Sequence, residues 1–402
     1  MKNPVATYVL NDIDDDYTVE VVSKLCSIPS VSGNEAEISK WVAGELRNLD
    51  LQVVEQQVLP DRSNVIATLS TQRPGPRLLF NGHLDTLPLQ PGWSGDPYKP
   101  LRLNGRLRGA EITNMKAAVG GMISAVAALR RHSEDLHGEI VLSAVIGECD
   151  ALGLGTTHML TQGLKADAAI NGEPTDLRVM TSHSGVNQLR LTVSGRGVHV
   201  CQHEIGINAN EKLARIIVSL EKTILTFTSH PDFPGLPTIN VGVIRGGQIP
   251  SMLADRAEAL IDVRTVPGMT PESVRQDIET VLSRLRASDP GLHAEIHLIE
   301  PPAFIQEYPF FVSASEPVVK LVADAHEAVI GKPTEVGAFH PQVFFGTDAS
   351  HLARAGIPTA IYGPGKVENI NVPDESMEIR DFLIASRVYA FSAAKMCSAT
   401  RA

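Results

Sequence analysis

The chain has 402 residues, more than one hydrophobic core usually supports, so its length predicts two domains. With 43% hydrophobic and 20% charged residues, the composition is typical of a globular enzyme and excludes a disordered or fibrous chain. The formal net charge is −11, and no run is rich in lysine or arginine. We therefore expect no nucleic-acid partner, because phosphate binding needs surplus positive charge.

The sequence also predicts the cellular compartment of the protein. No apolar run reaches the ~18–20 residues that span a bilayer, so no membrane partner is expected. Residues 1–17 are rich in aspartate and lack a basic region followed by an apolar one, which predicts no signal peptide. The four cysteines are widely spaced and form no C-x-x-C pair, which favours free thiols in a reducing compartment. These features predict a cytoplasmic protein.

Apolar runs alternate with helical patterns in both terminal parts of the chain. Strands are predicted at residues 64–69, 77–81, 139–146 and 168–171, and long helices at 117–131, 318–329 and 379–396. Strands that alternate with helices indicate an α/β fold with a mostly parallel sheet.

The pattern changes between residues 184 and 299. Strands are predicted there at 186–193, 238–244 and 256–263, and helices at 208–222 and 271–285. This stretch predicts a small α+β domain inserted into a discontinuous α/β domain, which residues 1–183 and 300–402 form.

His83 and Asp85 follow directly after a predicted apolar strand. Ligands of open α/β sheets bind beyond the carboxyl ends of the strands. A histidine two residues before an aspartate can bind a metal while the carboxylate orients its second nitrogen. A turn with two solvated polar side chains is the alternative interpretation.

Other polar residues also follow predicted strands. The run Glu148-Cys149-Asp150 stands where ionisable groups are often functional, although Asp150 as a helix N-cap explains the pattern equally well. Glu173 either belongs to a site or ends a turn. His199 lies in the inserted region, and a single histidine there is more often structural.

In their order and spacing, these residues resemble the dinuclear-zinc amidohydrolase and exopeptidase family, which includes acetylornithine deacetylase, succinyl-diaminopimelate desuccinylase, the aminoacylases and carboxypeptidase G. The resemblance covers nearly the whole chain and rests on the motifs IPSVSG (28–33), GHLDT (82–86), NMK (114–116), GEPT (172–175), GG (246–247), DVR (262–264), GTDA (346–349), YGPG (362–365) and PDE (373–375). It implies a zinc-binding catalytic domain and an inserted lid domain that forms a homodimer.

The resemblance also implies roles for single positions. His83 and Glu173 would bind the first metal, with Asp85 behind His83. Asn114 stands where the family has the aspartate that bridges both metals, and Asn371 stands where a histidine binds the second metal.

Two adjacent glutamates of the family, a general base and a ligand of the second metal, fall on the run that begins at Glu148. Matching from the preceding strand makes Glu148 the base and Cys149 the ligand, which is the register we prefer. Counting back from Gly155 makes Cys149 the base and Asp150 the ligand.

Three residues of the inserted region also have implied roles. His199 stands at the position of a lid histidine that steadies the oxyanion in the partner subunit's active site. Ser251 stands where many relatives have an asparagine that contacts substrate, and Arg264 is retained. We expect Asn114, Asn371, Ser251 and Arg264 to contact the substrate, and we expect substrate recognition to differ from that of the family.

The departures from the family pattern weaken the expected metal centre. An amide at position 114 supplies no negative charge, and Asn371 is a far poorer zinc ligand than imidazole. His83 and Glu173 remain as strong ligands, with Asp150 as an additional candidate, whereas zinc sites normally have three or four protein ligands. We expect one weakly bound zinc ion or none.

These observations predict an enzyme that acts on the amide (C–N) bond of a small amino-acid-derived substrate, with Glu148 as general acid and base. Several alternatives stay open. A metal-independent enzyme could catalyse acyl transfer, cyclisation or amide formation in a biosynthetic pathway. Cys149 could be a nucleophile or an inert thiol. A relative without catalysis could bind a small ligand in the same cleft.

Overall fold

The computed structural model describes residues 4–150, 152–301 and 303–398. The α-helices in these residues are α1 (Pro4–Asn11), α2 (Asp15–Ser27), α3 (Ala36–Asn48), α4 (Ala117–Arg131), α5 (Leu154–Thr161), α6 (Ala209–Glu221), α7 (Pro271–Ser288), α8 (Pro317–Ile330), α9 (Ala349–Arg354) and α10 (Ile379–Met396). Short 3-10 or π turns lie at Ile112–Lys116, Ser133–Asp135, Val200–Ile205, Gln342–Phe344 and Val367–Asn369.

The strands in the same residues are β1 (Gln52–Leu59), β2 (Arg62–Ser70), β3 (Arg77–His83), β4 (Leu101–Leu103), β5 (Arg106–Arg108), β6 (Glu139–Val145), β7 (Ala168–Asn171), β8 (Val179–Met180), β9 (Ser182–His183), β10 (Gly185–Ser194), β11 (Thr238–Gly246), β12 (Arg256–Thr265), β13 (His293–Leu298), β14 (Phe310–Phe311), β15 (Val336–Gly337), β16 (Thr359–Ile361) and β17 (Ser376–Glu378).

The chain folds into two compact units. The first contains Met1–Ser182, Phe311–Gln342 and Thr347–Ala402, and the second contains His183–Phe310 and Val343–Gly346. The insertion predicted at residues 184–299 lies within the second unit. That unit continues eleven residues further along the chain, to Phe310, and takes in one short later segment.

A large sheet organises the first unit and has the strand order β1-β2-β6-β3-β7-β16-β8-β15. The central strands β6, β3, β7 and β16 run parallel to one another, and β1, β2 and β6 pair antiparallel. β3 and β6 are buried along nearly their whole length, which explains why they are continuous apolar runs. The predicted α/β class with a mostly parallel sheet is confirmed.

Helix α4 is the central helix of this unit, and its residues from Ala117 to Leu129 are buried. A β-carbon on Gly120 would lie 2.6 Å from Val22 Cγ2, so the small side chains of α4 permit close packing against α2. The segment Ile112–Arg131 is long and apolar enough to cross a membrane by length and composition alone. However, 94% of its apolar window is buried inside the protein, which makes it a core helix.

The second unit contains an antiparallel sheet with the strand order β11-β12-β10-β13. Burial alternates along β12, so one face of this sheet is covered and the other is more open. Helices α6 and α7 pack against the sheet and against each other. The second unit therefore has its own α+β core.

Candidate active site

The polar residues of the candidate site follow three adjacent parallel strands. His83 ends β3, Glu148 follows β6, and Glu173 follows β7. All three side chains are buried. Because parallel neighbours end at the same edge of a sheet, the fold brings these residues together as their sequence positions predict.

Four electron-rich atoms converge at this edge. His83 Nε2 lies 3.3 Å from Asn114 Oδ1. It also lies 3.7 Å from Glu148 Oε2 and 3.7 Å from Glu173 Oε1. Throughout the described part of the chain, Glu173 Oε1 has no hydrogen-bond partner. An unpaired buried carboxylate oxygen is costly, so this group requires a proton or a cation.

The other ring nitrogen of His83 is fixed by a backbone group. His83 Nδ1 lies 2.8 Å from the Asp85 carbonyl oxygen, which can only accept, so Nδ1 carries the proton. The Asp85 carboxylate lies farther away, at 3.8 Å. The carbonyl group makes the hydrogen bond that orients the imidazole, and a role for the carboxylate behind His83 stays a prediction. In the neutral ring, Nε2 keeps its lone pair for a ligand.

The Asp85 carboxylate instead holds the backbone of the neighbouring loop. It accepts the N–H groups of Glu148 at 3.1 Å and Cys149 at 2.8 Å. The Ser32 hydroxyl donates a third hydrogen bond at 2.8 Å. Asp85 is fully buried and is a positioning residue for Glu148.

Cys149 and Asp150 point away from Nε2. The Cys149 thiol donates to the Asp85 carbonyl oxygen at 3.5 Å and lies 3.9 Å from His83 Nδ1, on the opposite side of the ring. Burial, together with Asp85 and Glu148, raises the pKa of this thiol well above its ordinary value. The Asp150 carboxylate is exposed and lies 3.6 Å from Arg62. Of the three neighbours, only Glu148 faces the Nε2 side.

Burial and neighbouring charges shift the pKa values of both His83 and Glu173. Burial lowers the pKa of His83, but the charges of Glu173, Asp85 and Asp348 outweigh that effect and raise it above its ordinary value. Burial raises the pKa of Glu173 well above its usual range, and Glu148 adds to this although His83 opposes it. The site therefore favours one positive charge at His83, which the surrounding carboxylates stabilise.

The remaining predicted residue of the first unit, Asn371, makes its side-chain hydrogen bond with a backbone group. The Asn371 amide donates to the Pro88 carbonyl oxygen at 3.2 Å, and its backbone is left-handed with φ 52°. The polar contact of this side chain therefore lies with the loop after β3.

Three predicted residues belong to the second unit. His199 is exposed, and its Nδ1 lies 3.1 Å from Cys201 Sγ. Ser251 is exposed, and its carbonyl oxygen accepts the Val200 N–H at 3.0 Å. The Arg264 guanidinium donates to Asp262 at 2.7 Å and to the Phe344 carbonyl oxygen at 2.8 Å.

Two acidic residues near the site carried weak sequence signals. Asp348 is buried, and burial raises its pKa to about 6 although the charge of His83 opposes the shift. Glu111 is also buried and was not singled out from the sequence at all. An acidic residue three positions before Asn114, directly before the turn Ile112–Lys116, was the available signal.

The donor set can be compared with the needs of a metal ion. His83, Glu148 and Glu173 offer ligand atoms within 4.8 Å of one another, and one of these atoms is unpaired, so they fit a single cation. His83, Asp85 and Cys149 also lie within 4.8 Å. The Asp85 carboxylate already accepts three hydrogen bonds, and Nδ1 and the thiol already donate to the Asp85 carbonyl oxygen, so this second group does not fit a metal.

A buried carboxylate beside an imidazole, at the carboxyl ends of parallel strands, is typical of hydrolytic enzymes with an α/β fold. The chain belongs to the peptidase family M20/M25/M40, whose sequence profile matches residues 79–395. The resemblance to the amidohydrolase and exopeptidase family is thus confirmed. The protein is an amidohydrolase-family enzyme acting on C–N bonds.

Curated relatives and solved structures agree with this assignment. The chain is 28% identical to the N-formyl-4-amino-5-aminomethyl-2-methylpyrimidine deformylase of Bacillus subtilis, covering 91% of this chain and 90% of the relative. It is 27% identical to an acetylornithine deacetylase of Vibrio cholerae, over 94% and 98% of the two chains. A dinuclear metal-binding M20 peptidase of Bacillus subtilis has the same fold, with a TM-score of 0.70, 17% identity, and coverage of 95% and 98%.

The position of Glu173 depends on Gly363. A β-carbon on Gly363 would overlap the carbonyl oxygens of Gly172 and Glu173, which are backbone atoms and cannot move independently. We predict that Gly363→Ala lowers the free energy of unfolding by about 2–3 kcal/mol. Gly44→Ala is the control, since a β-carbon there meets no atom within 4 Å in helix α3, and it should stabilise by about 0.5–1 kcal/mol. Urea unfolding measures both, and equal stability of the two variants would contradict the packing argument.

The loop after Glu148 is held by a neutral histidine. His351 Nε2 lies 3.0 Å from the Leu152 carbonyl oxygen, and burial lowers the pKa of His351 from 6.5 to about 4. Between these pH values the unfolded chain binds more protons than the folded one, so stability falls as the pH falls through this window.

We predict that the stability difference between wild type and His351→Gln shrinks by on the order of 2 kcal/mol from neutral pH to the lower end of that window. Glutamine can still donate to Leu152 but does not titrate. Urea unfolding of both proteins at a series of pH values measures the difference. A difference that stays constant with pH would show that His351 does not resist protonation.

Proposed function

We propose that this enzyme hydrolyses the amide bond of a small N-acylated, amino-acid-derived substrate, and that one metal ion rather than a metal pair serves the reaction. Relatives named as a deformylase and as deacetylases support removal of a short acyl group from nitrogen. The family match supports action on a C–N bond.

The convergence of lone pairs around His83 Nε2 carries the proposal. Asn114 Oδ1, Glu148 Oε2 and Glu173 Oε1 all face this nitrogen, and Glu173 Oε1 is unpaired within the described residues. His83 and Glu173 would hold a cation, with the Asn114 oxygen beside them. When bound, such a cation supplies Lewis acidity to the scissile carbonyl group and to water.

Glu148 performs the proton transfers in this proposal. Its carboxylate accepts a proton from the attacking water and returns it to the leaving amine, as a general base and then a general acid. Asp85 holds the Glu148 N–H at 3.1 Å and therefore fixes the direction of the side chain. The Asp85 carbonyl oxygen keeps the proton of His83 on Nδ1.

A second metal has little support from the side chains present. Asn114 is uncharged, the Cys149 thiol lies on the Nδ1 side of His83, and the Asn371 amide is bonded to a carbonyl oxygen. The Asp150 carboxylate lies beside Arg62. The other candidate ligand group in the described residues is His83, Asp85 and Cys149, in which Asp85 and Cys149 already have hydrogen-bond partners.

The proposal also assigns a role to the second unit. We infer that it is the lid and dimerisation domain and that His199, Ser251 and Arg264 contact the substrate or the oxyanion. We propose a homodimer that resides in the cytoplasm. Light scattering of the purified protein measures the oligomeric state directly.

A substrate panel tests the activity. The protein is reconstituted with Zn²⁺ or Co²⁺ and offered N-formyl and N-acetyl amino acids, N-formylated aminomethyl heterocycles and dipeptides. We expect release of a short carboxylic acid from at least one N-acyl compound. Ligands that raise the unfolding temperature but are never turned over would instead indicate a binding protein without catalysis.

A further inference from the structure

Glu111 combines two unfavourable features. Its backbone is in the left-handed region with φ 55°, which non-glycine residues rarely adopt. Its side chain is only 1% exposed, and neither carboxylate oxygen has a hydrogen-bond partner within residues 4–150, 152–301 and 303–398. Strained backbone and unpaired buried polar groups persist mainly where they serve a function.

The neighbouring lysine does not hydrogen-bond to this carboxylate, although its positive charge lowers the pKa of Glu111. Lys116 is buried, and its ammonium group donates to the Ile28 carbonyl oxygen at 2.8 Å. Glu375, also buried, accepts the Thr113 N–H at 2.6 Å and repels Glu111. Burial and then Glu375 raise the pKa of Glu111 to about 8, while Lys116 and His83 oppose the shift. Glu111 is thus poised to gain from an additional positive charge.

The proposed function places such a positive charge at the His83–Glu173 centre, beside Asn114, which follows Glu111 by three residues. Glu111 lies directly before the turn Ile112–Lys116, and Asn114 of this turn lies 3.3 Å from His83 Nε2. In agreement with this placement, the positive charge of His83 lowers the pKa of Glu111. The residue on this turn that touches His83 is Asn114, whose amide supplies no negative charge. Glu111, directly before the same turn, has the carboxylate that could supply this charge.

We propose that Glu111 supplies the negative charge that retains a divalent cation at the His83–Glu173 centre, acting through the electric field rather than as a ligand. Its atoms lie outside the group of ligand atoms around Nε2. The inference rests on the proposed function, since it requires that one cation binds there. It identifies Glu111 as an electrostatic determinant of metal affinity.

Metal affinity of the full-length protein tests this inference without any assay of activity. Equilibrium dialysis against Co²⁺, at a pH above the pKa of Glu111, compares wild type with Glu111→Gln. Glutamine keeps the size of the side chain and the backbone strain and removes only the charge. Glu37→Gln is the matched control, because Glu37 is exposed on helix α3 and the net charge changes equally.

We expect Glu111→Gln to weaken Co²⁺ binding about tenfold and Glu37→Gln to leave it unchanged. The metal-free unfolding temperature of Glu111→Gln should equal or exceed that of wild type, because the repulsion between the Glu111 and Glu375 carboxylates is removed. If Glu111→Gln does not fold, Glu111→Gly serves as the uncharged variant, since glycine accepts the left-handed backbone.

Two results would overturn the inference in distinguishable ways. Unchanged Co²⁺ affinity in Glu111→Gln, especially with a lower unfolding temperature, would make Glu111 a structural residue and leave the proposed one-metal function intact. A wild-type protein that binds no Co²⁺ would remove the proposed metal centre, and the role of Glu111 with it.

Discussion

Replacing Glu148 with glutamine is expected to lower kcat about 10³-fold. Glutamine cannot accept a proton from water, whereas its size and its backbone hydrogen bond to Asp85 are preserved. KM and the unfolding temperature should therefore change little. Steady-state kinetics on the substrate found in the panel, together with thermal unfolding, measure these effects.

Asp150→Asn is the matched control for this prediction. It also replaces a carboxylate with an amide, two residues along the same loop. Asp150 is exposed and lies beside Arg62, so we expect kcat to stay within a few-fold of wild type. Loss of activity in Asp150→Asn with full activity in Glu148→Gln would favour the register counted back from Gly155, in which Cys149 is the base and Asp150 is a metal ligand.

Replacing Asn114 with aspartate is expected to raise affinity for a divalent cation by at least about tenfold. The new carboxylate would stand where Asn114 Oδ1 lies now, 3.3 Å from His83 Nε2, and would add a full negative charge to the centre. Isothermal titration with Zn²⁺ or Co²⁺ measures the change.

Asn371→Asp distinguishes a local effect from a change in net charge. It adds the same charge, but the Asn371 side chain bonds to the Pro88 carbonyl oxygen. We expect a much smaller gain in affinity than in Asn114→Asp. Equal gains from both substitutions would show that position 371 also lies at a metal, and two-metal chemistry would then regain support.

The sequence predicts elements best where burial is complete. The helices expected at residues 117–131 and 379–396 and the strand at 168–171 coincide with α4, α10 and β7. Their apolar residues are buried, so periodicity and structure report the same property.

Two strands that were not predicted, β1 and β13, are instead largely exposed or half-buried. β1 has the sequence QVVEQQVL and is mostly exposed or half-buried, and β13 has the sequence HAEIHL with only two buried positions. Both are held by pairing with a neighbouring strand. Tertiary pairing decides such strands, and their own side chains carry little signal.

The candidate site was predictable in position but not in detail. Strand ends located His83, Glu148 and Glu173, because the carboxyl ends of parallel strands share one edge. The sequence could not show that the Cys149 thiol points behind the imidazole or that the Asp85 carbonyl group holds Nδ1. Those features depend on backbone direction in the loops, to which residue spacing is insensitive.

The metal content of the purified protein tests the one-metal account most directly. Elemental mass spectrometry would be performed after dialysis against Zn²⁺ and again after chelation, with turnover measured on the same samples. We predict about one metal ion per chain in the active sample and loss of turnover with its removal. About two ions per chain, or full turnover in the chelated protein, would contradict the account.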